Sequence, residues 1–221
     1  MIEIPRPDGS TLPAYLATPA AGEEAPGVVV IQEWWGLNAQ MKRTADRLAE
    51  AGFRALVPDL YRGRVAGDAA EANHLMSHLD WAGACDQDVQ GAVDFLKAGG
   101  GKVAVLGFCM GGALTIMALV RVPGVDAGVC FYGIPPAAAA DPAAIRAPLL
   151  GHFATHDDWC TPAAVDALEA TLGAAGATYA IHRYDAHHAF FNEARPEVFD
   201  AGCAALAWRR SLDFLAERLA R

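Results

Sequence analysis

Cys109 stands between Gly107 and Gly111 in the run KVAVLGFCMGGALTIMALV (102–120), where a buried-strand pattern gives way to a helix of small residues. A nucleophile on a sharp strand-to-helix turn needs neighbours without a Cβ, because a side chain at either place would meet backbone. Sulfur here takes the position usually held by a hydroxyl. A thiol at the positive end of a helix is easier to ionise than a free one, and backbone N–H groups there can receive developing negative charge. At this composition a G-x-C-x-G match arises by chance about 0.05 times. The competing reading is a structural Cys packed between glycines, a common fate of a free thiol.

Acyl transfer by a thiol needs a base and a group to orient it. In sheets of this kind the order along the chain is nucleophile, acid, then His, each just past the carboxyl end of a strand. Asp157 and Asp158 follow APLLGHFA (147–154), and His187 and His188 follow ATYAIHRY (177–184). The loop QEWWGLN (32–38) offers the Trp34 N–H, which with the Met110 N–H would form an oxyanion hole. Glu33, at the end of an apolar strand beside two Trp, would lie near the nucleophile and face partial desolvation, or else turn outward and cap the next helix. Trp34 and Trp35 fit a substrate pocket or plain core equally well.

The elements that must position these groups can be read from periodicity. MIEI and LPAYLATP flank the turn PRPDGS and predict an antiparallel hairpin. GVVVIQ (27–32), FRALVP (53–58), KVAVLGF (102–108), DAGVCFYG (126–133), APLLGHFA and ATYAIHRY follow as strands, about eight in all. Helices are expected from Asn38 to Gly52 and through roughly 69–79, 84–98, 111–121, 163–174 and 203–220. The alternation predicts a mostly parallel eight-stranded sheet with helices on both faces, in a single domain spanning residues 1–221.

Composition excludes several classes of function. The 221 residues carry 17 Lys plus Arg against 26 Asp plus Glu, a net charge of −9 that opposes binding to a phosphate backbone, so no nucleic-acid partner is expected. No apolar run approaches the ~20 residues of a membrane span, and the start MIEIPRPDGS lacks the order of a secretory signal, so a cytoplasmic protein without a membrane partner is expected. Five cysteines without a C-x-x-C pair speak against a disulfide scaffold or a structural zinc site. His74 and His78 sit four apart on an expected helix but have no third ligand, so no metal is expected.

QEWWGLN, VPDLYRG (57–63), GFCMGG, HDDWCTP, HHAF and WRRSLDFL together resemble the dienelactone hydrolase (carboxymethylenebutenolidase) family of α/β-hydrolases, over nearly the whole chain. The resemblance implies the α/β-hydrolase fold and cleavage of small lactones or esters by a Cys-His-Asp triad, without metal or organic cofactor, in a monomeric cytosolic protein. It favours Asp157 over Asp158 and His188 over His187. Cys109 is then the nucleophile, His188 the general base and then acid, and Asp157 the group that holds the imidazole. It also implies that Glu33 pairs with the resting thiol and swings as substrate arrives. Trp35, Tyr132 and Asn192 are candidate pocket residues. One departure stands out: where the family's namesake enzymes hold a substrate carboxylate with two arginines, the matching positions here look like Glu71 and Asn192, with Arg195 nearby. That loss disfavours a carboxylated dienelactone. The alternatives are a thioester or other acyl bond cut by the same triad, or an idle hydrolase-like binding protein.

Overall fold

The computed structural model describes residues 1–220. Its strands are β1 (Ile2–Pro5), β2 (Thr11–Ala17), β3 (Gly27–Ile31), β4 (Arg54–Pro58), β5 (Val103–Phe108), β6 (Ala127–Phe131), β7 (Leu149–His156) and β8 (Tyr179–His187). They form one sheet in the order β1-β2-β4-β3-β5-β6-β7-β8. The first hairpin is antiparallel, β2 joins β4 antiparallel, and every later pairing is parallel. β3 to β6 are buried along their whole length, as strands covered on both faces must be, whereas edge strand β8 is mostly accessible.

Helices cover both faces: α1 (Ala39–Glu50), α2 (Ala69–Ser77), α3 (Trp81–Gly83), α4 (Gln90–Ala98), α5 (Met110–Arg121), α6 (Pro162–Ala174) and α7 (Ala201–Leu219). Asn38 caps α1, its side chain accepting the Met41 N–H at 3.1 Å. The helix expected over 84–98 begins earlier, because Asp80 accepts the Gly83 N–H at 3.0 Å and starts α3, which continues through a π-wound stretch, Ala84–Val89, into α4. The strand expected over 126–133 stops at Phe131, where the next residue, Tyr132, takes φ 38° and leaves the sheet. No helix among the described residues is long and apolar enough to cross a membrane.

β4 and β3 run leftward from the middle of the sheet and β5 to β8 rightward, so the order reverses between β3 and β5. Their register, Val29 opposite Val105, brings the carboxyl ends of both strands to one rim. A crevice at such a reversal is where open α/β sheets bind ligands.

His152 on β7 is fully buried, with partners that sequence did not reveal. The Ser211 hydroxyl donates to the Ala207 carbonyl at 2.8 Å, so it must accept from His152 Nε2 at 3.0 Å. That leaves Nδ1 to accept from the Tyr184 hydroxyl at 2.8 Å, whose oxygen receives Arg210 Nη1 at 3.1 Å. Burial, with His182 and Arg210 adding to it, holds this imidazole well below its ordinary value and therefore neutral. The unfolded chain takes up a proton near pH 6.5 and the native chain does not, so the contribution is intact above that pH and falls away below it, by at most about 1.4 kcal/mol per pH unit. His152→Gln should therefore lie further below wild type in urea-unfolding free energy at pH 7 than at pH 5. A gap that stays constant would remove His152 as the source.

Candidate active site

β5 ends at Phe108, and Cys109 turns the chain at φ 55°, ψ −115° into α5. The turn is possible because a Cβ on Gly107 would lie 2.0 Å from the Gly111 carbonyl oxygen, and one on Gly111 would lie 2.3 Å from that of Ile31. The Cys109 N–H is anchored on Phe131 O at 3.0 Å. Four described non-glycine residues have positive φ, and three of them, Cys109, Tyr132 and Ala189, surround this point. Backbone strain of order 1–3 kcal/mol per residue is thus gathered at one place, as it is at functional sites generally.

His188 follows the end of β8 and points Nε2 at Cys109 Sγ, 3.2 Å away. Its Nδ1 lies 2.7 Å from Asp157 Oδ2, while Asp157 Oδ1 accepts the N–H groups of Trp159 at 2.7 Å and Cys160 at 2.9 Å. Burial alone would raise the Asp157 carboxyl, but the His188 hydrogen bond and these two N–H groups more than offset it and hold the group below its ordinary value. Burial likewise pulls His188 toward its neutral form; the bonds to Asp157 and Cys109 win and push the imidazole up to about 10. Asp158 and His187 are exposed and take no part in this chain of contacts, although both line the adjoining cavity. His187 lies instead 5.4 Å, ring to ring, from His156.

Met110 is the first residue of α5, so its N–H falls outside the helical ladder. The turn 33–36 is closed by the Gly36 N–H on Glu33 O at 3.2 Å, which leaves the Trp34 N–H free of the turn bond. Glu33 is buried. In place of the thiol pairing that the resemblance implies, its Oε1 accepts from the Tyr132 hydroxyl at 3.0 Å and its Oε2 from Asn192 Nδ2 at 2.5 Å. Burial raises the Glu33 carboxyl despite those two donors. A dry carboxylate needs fixed donors, and here they come from the chain.

Asn192 has a second role. It is 1% exposed and gives its amide to Glu33 and its carbonyl to the Ala194 N–H, so it supports Glu33 from behind, and it borders a cavity adjoining the main chamber together with Trp35, Arg195 and Glu197. Tyr132 is also fully buried and meets open space only on the far side of Cys109. Glu71 is corrected too: exposed at the start of α2, it accepts the Gly67 N–H at 2.9 Å and lies off the chamber.

The chamber beside Cys109 and His188 has a volume of about 410 Å³. Trp34 and Trp35 form one wall, and Arg195 lies over the Trp35 ring at 5.6 Å while pairing with Glu197 at 2.7 Å. Trp159, 62% exposed, stands 6.1 Å from both the Trp34 and the His188 rings. Sequence reasoning passed over Trp159, although its place directly after two candidate acids was the available signal. Among the described residues no group of three or more His, Cys, Asp or Glu could hold a metal, and His78 Nδ1 is spent on the His74 carbonyl at 2.8 Å.

The profile of the Dienelactone hydrolase family matches residues 12–219. This chain belongs to that family. It is 34% identical to Protein usf of Aquifex pyrophilus, over 99% of this chain and 98% of that one. It is 31% identical to the carboxymethylenebutenolidase of Pseudomonas putida, over 97% and 95% of the two chains. Among solved structures, a dienelactone hydrolase-like promiscuous phosphotriesterase from metagenomic libraries superposes with a TM-score of 0.87 at 25% identity, covering 99% of this chain and 98% of that one. The dienelactone hydrolase fold described above is accordingly that of an α/β-hydrolase, and the enzyme is a carboxylic ester or lactone hydrolase.

Proposed function

We propose that this dienelactone hydrolase family member cleaves small uncharged esters or lactones through an acyl-thiol intermediate on Cys109. The observation that carries the reading is the unbroken line Asp157 Oδ2, His188, Cys109 Sγ, with steps of 2.7 and 3.2 Å. With Nδ1–H donated to Asp157, Nε2 faces Sγ and takes the thiol proton as the sulfur attacks. Sγ forms a bond to the carbonyl carbon, and the carbonyl electron pair moves onto oxygen, facing the Trp34 and Met110 N–H groups. Collapse breaks the bond to the leaving oxygen, which takes the Nε2 proton. Water then gives a proton to His188 as it attacks the thioester, and the C–S bond breaks as the sulfur takes that proton back from Nε2. Glu33 stays close to this chemistry through Tyr132 and Asn192, which fix a buried acid beside the nucleophile without spending the sulfur's hydrogen bond.

Arg195 does supply a guanidinium to the chamber wall, but Glu197 neutralises it at 2.7 Å. A substrate carboxylate therefore gains little there, and this supports uncharged substrates. The test is a panel of lactones and aryl esters, with and without a free carboxylate, followed by mass spectrometry of enzyme quenched during turnover. An adduct of acyl mass on the Cys109 peptide and a preference for uncharged substrates are expected. Turnover with the adduct on another residue would refute the mechanism, and a preference for carboxylated substrates would refute the specificity.

A further inference from the structure

Cys109 and His188 border a second cavity, of about 260 Å³, on the other side from the chamber of Trp35 and Arg195. Its distinctive walls are Met76 and Trp81 from the helices above the sheet, Ala113 one turn into α5, and Ile134 and Pro136 after β6. The Tyr132 hydroxyl reaches this side only as a buried group already bound to Glu33. The two spaces differ in kind: the first carries Glu33, Arg195, Glu197, Asp158 and two further histidines, whereas the second has no charged wall apart from His188 itself. Trp159 borders both and stands between them at the surface.

A carbonyl carbon attacked by Sγ has two substituents, which must leave the nucleophile in different directions. An apolar cavity of about 150 Å³ is enough to take benzene, so the smaller space has room for a short alkyl chain or a phenyl ring. Deacylation decides which substituent goes where. The water that cleaves the thioester must stand beside His188 where the alcohol stood, and the charged chamber is the one that water fills readily. The acyl group stays bound through that step and gains from an apolar, sheltered site. Resting on the acyl-thiol reading above, we propose that the cavity of Met76, Trp81, Ala113 and Ile134 is an acyl-binding subsite selective for short apolar acyl groups, while the alcohol departs through the chamber of Trp35 and Arg195.

The experiment compares two ester series in wild type, Ala113→Leu and Trp81→Ala: p-nitrophenyl acetate to hexanoate, and acetates of alcohols of increasing length. Each buried methylene should raise wild-type kcat/KM about three- to fourfold in the acyl series until the cavity fills. Ala113→Leu should lower the butyrate-to-acetate ratio at least about tenfold, with the ratio across the alcohol series moving less than about twofold. Trp81→Ala, which opens the cavity at its rim, should move the preferred acyl chain to greater length, and it serves if Ala113→Leu fails to fold. An acyl profile unchanged in the variants, or a response in the alcohol series instead, overturns the assignment. Absence of Cys109-dependent turnover in wild type would instead defeat the acyl-thiol reading on which it rests.

Discussion

Cys109→Ala is expected to lower kcat/KM for an aryl ester by about 10,000-fold or more, equivalent to about 5.5 kcal/mol of transition-state stabilisation. The loss is large because the proposed first step has no other atom to form its bond, and His188 and the N–H groups of Trp34 and Met110 act only on an attack that sulfur has begun. Stability should hardly change. Alanine keeps the Cβ at φ 55° and loses one contact, at 3.2 Å. Cys109→Gly gives a sharper test of the turn, since glycine accepts that backbone freely. It should be equally inactive yet more stable than Cys109→Ala by about 1 kcal/mol, after its larger unfolded-state entropy is set against the relieved strain. Substantial residual turnover in Cys109→Ala would mean another nucleophile, and a Gly variant less stable than the Ala variant would mean the turn is unstrained.

Much of this arrangement was legible because backbone constraints leave marks in residue type. Gly107 and Gly111 announced a close approach, and the structure has Gly111 against the end of β3 and Gly107 against Gly111. The mostly parallel run of the strands followed from alternation, and it places Cys109, Asp157 and His188 on one rim of the sheet. What sequence could not show was direction. Glu33 sits where expected, but which way a buried carboxylate turns depends on donors 99 and 159 residues away, Tyr132 and Asn192. Asn192 shows the same limit: an amide beside a candidate pocket reads as a wall, and the acid it also supports emerges only from the fold. Arg195 is the converse case, a charged residue whose pocket position is visible only once the chain after β8 has folded back over Trp35. His152 was illegible for want of any local signal, since its partners lie on β8 and α7.

The other large effect concerns the acid. Asp157→Asn should reduce kcat/KM by about 100- to 10,000-fold while leaving the fold in place. Asp157 Oδ1 accepts two backbone N–H groups, so an asparagine keeps its carbonyl oxygen there and turns its amide nitrogen toward His188 Nδ1. A donor then meets Nδ1, which must become an acceptor, and the ring is held as the tautomer with its proton on Nε2. Such a ring can no longer take a proton from water at Nε2. The variant also loses the Asp157 hydrogen bond, the largest of the effects that raise the imidazole against the pull of burial, and with it the smaller effect of the carboxylate charge, so the protonated form of His188 is favoured less. The pH dependence of kcat/KM for an aryl ester, measured in wild type and Asp157→Asn, reads this. The variant should be depressed at every pH, and the limb of the profile that reports His188 should move to lower pH. Coincident profiles, together with unimpaired turnover, would mean that Asp157 holds the loop of Trp159 and Cys160 and has no part in setting the charge of His188.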